Sequence, residues 1–294
     1  MGLGLWLFLG LGAAVGDSGC DVVTKRSFSG LPPYGMAMAR VLAAVPFLLL
    51  AALFVRLPSL PAPFWAVVGA MLPLEVTATL LYMRALKTCH LSLCIPLLAF
   101  TPVFIIFTGW LFLGERLNYW GISGIALIAS GSYLLGLGIN RGGGVGFWAP
   151  LRALAREAGA RYMLAVAAIY SFTATLYKLA ILHSAPVFFG VSYPLAFILL
   201  MSAGLPWSRA PLRPAVRSQF AWWLVGGFCY AMSCLALAQG LTLAPAGYLI
   251  AVKRLSLLLS VTLGGLWLQE RPFLPRLVGA GLMCSGVVLI ALRG

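Results

Sequence analysis

Apolar runs of about twenty residues recur along the whole chain, parted only by short stretches rich in Gly, Pro and basic residues. A helix of about 20 apolar residues crosses the hydrocarbon core of a bilayer, and within that core only helices and closed barrels leave no backbone group unpaired. Cut at Gly, Pro and charged clusters, the runs predict spans over 3–23, 34–55, 63–84, 91–113, 118–139, 161–182, 186–204, 220–241, 246–268 and 273–292. Composition points the same way. Of 294 residues 62% are hydrophobic and 9% charged, against roughly 25% charge in soluble domains. The expectation is an all-α polytopic membrane protein of ten transmembrane helices with no substantial domain in water. Met1 to Leu11 has no basic start and no A-x-A site follows, so it reads as the first span rather than a signal peptide.

The widest gap between spans, Asn140 to Ala160, contains Gly142, Gly143 and Gly144. It divides the chain into a first half over 1–140, a connection over 141–160 and a second half over 161–294. The halves repeat. Laying Leu111-Phe-Leu-Gly-Glu115-Arg116 on Leu266-Trp-Leu-Gln-Glu270-Arg271 gives an offset of 155, and in that register Gly124 falls on Gly279, Ser130 on Ser285 and Gly131 on Gly286. Five spans per copy oblige the second copy to enter the membrane from the opposite side. Such inverted repeats recur in secondary transporters, whose substrate site lies near the midplane between the halves.

Five-helix halves, a Gly-Glu-Arg or Gln-Glu-Arg closing the fourth helix of each, and a glycine-rich fifth helix resemble the drug/metabolite transporter superfamily, in particular its EamA-type members. The resemblance implies a transporter fold and leaves the cargo open among amino acids and other metabolites, nucleotide sugars, sugar phosphates and lipid-linked sugars. It also implies both termini in the cytoplasm.

The formal charge of +14 would suit nucleic acid if it formed one basic face, but the cations fall singly or in pairs between apolar runs. They read as topology determinants, and no nucleic-acid partner is expected. Thirteen follow odd-numbered spans: Lys25, Arg26, Arg84, Lys87, Arg141, Arg152, Arg156, Arg161, Arg209, Arg213, Arg217, Arg271 and Arg276. Three, Arg56, Arg116 and Arg293, lie on the other face. Because cytoplasmic loops carry the Lys/Arg excess, the split predicts both termini outside the cytoplasm, against the resemblance. The expected location is the inner (plasma) membrane of a bacterium. The cysteines lack CxxC spacing, and no GxxxxGK[ST] or GxGxxG opens a helix, so neither metal nor cofactor is expected.

Four cations, Arg40, Lys178, Lys253 and Arg254, fall within or at the edge of spans, where an ionised side chain costs roughly 2.5–3.5 kcal/mol. At about 1.5 Å per residue, Lys253 and Arg254 lie within roughly 6 Å of the midplane, too deep to reach an interface some 15 Å from it. Their equivalents in the first half are Leu98 and Ala99, so the fold does not require them. Adjacent ammonium and guanidinium groups suit an anion, phosphate above all. A Lys-Arg pair in the ninth helix also resembles the sugar-phosphate translocators, for which the resemblance implies contact with substrate phosphate. The fourth-helix lysine of that branch is missing here, since 91–113 contains no lysine.

The alternative is structural pairing with Glu75, or with Asp17 and Asp21, which share a helix face at i, i+4. Candidate substrate-binding residues are Lys253, Arg254, Glu75, Tyr82, Tyr230, Gln239, Arg40 and Tyr193, with Tyr170 nearby in depth. Glu75, Asp17 and Asp21 are candidates for coupling or counter-ion roles. The glycines seven apart in spans five and ten predict close helix packing, and a homodimer seam is the other reading. The leading expectation is a secondary transporter of an anionic, phosphate-bearing substrate, either a soluble metabolite or a lipid head group drawn from membrane lipid. A proton-coupled exporter of amino acids or amphipathic metabolites is the alternative. An intramembrane enzyme is disfavoured because His90 and His183 are far apart and the loops offer only Glu115, Glu157 and Glu270.

Overall fold

The computed structural model describes residues 2–88, 95–137, 148–205, 212–259 and 274–293, and among them no strand occurs. Span one is Gly2–Phe28; span two is Pro33–Leu42 and Val45–Ala52; span three is Ala62–Thr88. Span four opens as a 3-10 segment, Ile95–Phe100, and continues as Thr101–Leu113; span five is Tyr119–Leu137. Spans six, seven and eight are Ala158–Leu182, Pro186–Ser202 and Phe220–Leu243. Span nine begins with Ala246–Lys253, and span ten is Leu274–Arg293. Glu270 and Arg271, His90, Cys89 and Cys94, and the glycine run of the connection lie outside the described residues. The protein is an all-α polytopic membrane protein. Among the described residues five helices are long and apolar enough to cross a bilayer, and 97–113, 119–135, 186–202 and 278–293 form shorter apolar helices.

The prolines divide into two kinds. Pro102 occupies the first turn of Thr101–Leu113, where its missing N–H would have had no partner anyway, and Pro96 lies in the 3-10 segment before it. Pro194 and Pro73 instead stay inside continuous helices. Span nine breaks too: Ala246–Lys253 ends with Arg254 as its C-cap, and helix resumes over 255–259. Arg254 corresponds by the repeat to Ala99, within the 3-10 segment of span four, so both spans are interrupted at the same depth.

The most extensive helix contacts are span one with eight, three with six, and five with ten. Moving each member to its repeat equivalent exchanges the first two pairs and returns the third to itself, the pattern of a two-fold axis passing between spans five and ten. The glycines there confirm the geometry. A Cβ on Gly131 would lie 2.5 Å from the carbonyl oxygen of Gly279, and one on Gly286 would lie 2.6 Å from that of Gly124. The glycine stripe is therefore occupied by the packing of spans five and ten within the chain.

Span four ends at Gly114, whose φ of 65° costs an ordinary residue roughly 1–2 kcal/mol. That turn carries Glu115 back beneath its own helix, its N–H donating to the Gly109 carbonyl over 3.2 Å. Span one approaches span eight through Gly16, where a Cβ would lie 2.5 Å from the Cys229 carbonyl oxygen. This close approach brings Asp17, the next residue, against span eight.

Candidate functional site

Between the halves lies a cavity of about 260 Å³, lined by Asp17 and Asp21 from span one, Arg40 from span two and Glu75 and Tyr82 from span three. Spans six and seven add Tyr170, Tyr177 and Tyr193, span eight adds Tyr230, Ser233 and Cys234, and span nine adds Lys253 and Arg254. The repeat equivalents Leu98 and Lys253 both face it, as do Glu75 and Tyr230. The cavity therefore straddles the two-fold relation, and corresponding positions present it with different chemistry.

The charges inside are arranged in steps. Lys253 Nζ is 3.0 Å from Asp17 Oδ2, and Asp17 Oδ1 accepts a 2.6 Å hydrogen bond from the Ser233 hydroxyl. Arg40 pairs with Asp21, one turn further along span one. Glu75 has the Thr173 hydroxyl as its hydrogen-bonding neighbour, and among the described residues no cation lies within ion-pair distance of it. Of the alternative pairings read from the sequence, the one with Asp17 is made by Lys253. Asp17 holds that place because Gly16 and Ser233 draw span one onto span eight.

Arg254 differs from both other cations. Among the described residues no carboxylate lies within ion-pair distance of it, and its buried Nε has no hydrogen-bond partner. Its neighbours include the phenols of Tyr170 and Tyr82. Its position at the C-terminal end of the half-helix Ala246–Lys253 eases its burial, since the helix dipole favours cations there. Thr101, Tyr177 and Tyr193 also present buried hydroxyls without partners to the cavity. Thr101, Thr173 and Ser233 are polar linings that hydropathy alone does not single out. Thr173 and Ser233 do have a signal in their position, each on a helix face that carries a phenolic candidate, whereas span four offers Thr101 no charged or phenolic neighbour.

Gln239 does not line the cavity. The lining positions of span eight, Tyr230, Ser233, Cys234, Leu237 and Leu241, follow one helical face, and Gln239 is two residues out of that register. Lys178 is likewise absent from the lining. It bonds Glu115 Oε1 over 2.6 Å and donates to the Ala244 carbonyl over 2.7 Å. Any contact of Asp21 with Lys25 lies outside the described side chains. Among the described residues no three His, Cys, Asp or Glu gather as metal ligands would.

No curated protein matches the chain in sequence. A solved crystal structure superposes on it with a TM-score of 0.78 at 16% identity, over 98% of this chain and 99% of the other. At that identity the likeness is one of fold alone. The sequence pattern of the EamA-like transporter family matches twice, over residues 4–137 and again over 158–292. With nearly the whole length matched in two copies, the chain belongs to the EamA-like transporter family.

Proposed function

We propose that this membrane transporter of small substrates is a secondary transporter working by alternating access between its halves, with the anionic group of its cargo held at Arg254. The observation that carries the reading is a guanidinium with a partnerless buried Nε and, among the described residues, no carboxylate within ion-pair distance. Asp17 and Asp21 neutralise Lys253 and Arg40, which leaves Arg254 with a buried donor unfilled at the break of span nine. A buried donor without a partner costs about 1–3 kcal/mol, a deficit that an incoming anion removes. The planar fork fits two oxygens of a phosphate, a phosphodiester or a carboxylate. The phosphate-bearing cargo is the finer form of this proposal, as a metabolite or as a lipid head group with Lys253 alongside.

The decisive experiment is flux into proteoliposomes with phosphorylated metabolites, short-chain phospholipids and amino acids as separate arms. Arg254→Ala is expected to abolish flux of the accepted cargo and Arg254→Lys to retain a fraction of it, with both variants monodisperse in detergent. Near-normal flux through Arg254→Ala would refute the proposal.

A second reading rests on Glu75, the cavity carboxyl with no cation partner among the described residues. In that reading Glu75 carries a coupling proton or receives the amine of a zwitterionic cargo. Glu75→Gln would then remove the dependence of flux on a pH gradient, whereas a role in amine binding alone would instead raise the half-saturating concentration.

A further inference from the structure

The face bearing both termini is sealed by two layers, and each joins one half of the chain to the other. In the outer layer Glu115, just past span four, takes Lys178 of span six at 2.6 Å. It also accepts the Ala246 N–H at the start of span nine over 3.0 and 3.2 Å. Lys178 adds its 2.7 Å bond to the Ala244 carbonyl. The two side chains are only 13% and 15% exposed, so the pair is largely out of water and correspondingly strong.

The inner layer is aromatic. Phe64 of span three packs edge-on to Phe189 of span seven at 6.0 Å, and Phe189 packs on Tyr177 of span six at 4.6 Å and on Tyr193 at 5.2 Å. Tyr177 and Tyr193 form the floor of the cavity and are 9% and 7% exposed. Toward the opposite face, the cavity side chain of Asp21 is 35% exposed.

The repeat shows that these two layers are not duplicated on the opposite face. The positions equivalent to Phe64, Tyr177, Lys178, Phe189 and Tyr193 are Gln219, Val22, Val23, Tyr34 and Met38, which can form neither the aromatic stack nor the ion pair. From this asymmetry we infer that the Glu115–Lys178 pair latches a gate on the terminal face, with the Phe64–Phe189–Tyr177–Tyr193 stack as its plug. Such a gate implies that in the conformation described here the cavity communicates with the cation-rich face. The inference rests on the alternating-access reading, because a gate requires the halves to separate. Rocking the halves apart on the terminal side breaks the latch and pulls Phe64 from Phe189, since both contacts cross between them.

Cys234 lines the cavity and serves as reporter. With it as the sole cysteine, a membrane-impermeant maleimide is applied to sealed vesicles of each orientation. The parent chain is expected to react much faster from the cation-rich face. Glu115→Gln, which keeps the shape of the side chain and removes its charge, and Lys178→Met are each expected to speed modification from the terminal face about tenfold or more, in keeping with the population shift that losing such a pair produces. Phe189→Ala should do the same without touching the latch, which keeps the test open if a latch variant fails to fold. Unchanged terminal-face reactivity in monodisperse Lys178→Met and Phe189→Ala protein overturns the gate. This readout needs no substrate. Normal flux through Arg254→Ala would therefore remove the anion site while leaving the gate intact, and unchanged reactivity would remove the gate alone.

Discussion

Two adjacent residues with the same sign of charge have different environments here. Lys253 meets Asp17, itself steadied by Ser233, while Arg254 meets phenols and unfilled space. Removing one partner of a buried pair leaves the other uncompensated, whereas replacing both with neutral groups of similar size is often nearly neutral. The side chains of Lys253 and Asp17 keep 23% and 22% exposure, so the cost of breaking this pair belongs at the low end for buried pairs, about 3 kcal/mol. Lys253→Met and Asp17→Asn should each lower the thermal midpoint in detergent. The double variant should recover most of that loss, and simple additivity of the two losses would show that the pair carries no coupling. The same residues mark how far the sequence could be read. The i, i+4 spacing of Asp17 and Asp21 put both carboxylates on one face, but which cation each would take depended on Gly16 letting span one approach span eight, and no feature of span one alone encodes that.

At the scale of helices, the glycines of spans five and ten were legible by their spacing of seven, and their pairing was not. Aligning the repeat sets Gly124 beside Gly279, yet in space Gly124 meets Gly286 and Gly131 meets Gly279, because a two-fold axis between antiparallel helices pairs each site with the other copy's opposite one. A methyl at Gly131 or Gly279 points at backbone, which no rotamer change relieves. Gly131→Ala should therefore cost about 1–3 kcal/mol, as overpacking does, and lower the thermal midpoint. Gly281→Ala, on span ten with nothing within 4 Å of the added carbon, should leave it unchanged or raise it slightly. Equal changes from the two substitutions would mean that the close crossing does not decide the matter, and a gain in both would leave helix propensity alone at work. The break of span two at Ala43 and Ala44 does have a local signal, Pro46 in the first turn of Val45–Ala52, which has no N–H to bond the Leu42 carbonyl. Gly227, without a side chain, makes room there for the Ala43 carbonyl.

For the whole molecule, the distribution of cations and the asymmetric seal are separate features that bear on one question, the direction of transport. The excess of Lys and Arg after odd-numbered spans predicts that the cation-rich face is cytoplasmic, so a reporter active only in the cytoplasm should be silent when fused at Gly294. In that orientation the cavity described here loads from inside the cell and its gate faces out. The protein's own charges return to their places every cycle, so the net charge moved equals that of the cargo plus any coupling ion. A potential negative inside drives a monovalent anion outward with about 2.3 kcal/mol per 100 mV. Expelling that anion in exchange for a proton taken up through Glu75 moves two charges and doubles this dependence. A zwitterionic cargo carried alone moves none, and one exchanged for a proton moves a single charge but also follows the pH gradient. Flux measured in proteoliposomes under imposed potassium diffusion potentials therefore separates these readings before the cargo is refined further. An anion held at Arg254 predicts efflux that steepens with inside-negative potential, with a slope reduced by Glu75→Gln only if that residue carries the coupling proton. With no exchangeable anion on the opposite side, efflux indifferent to both potential and pH would exclude an anionic cargo and favour a neutral or zwitterionic one.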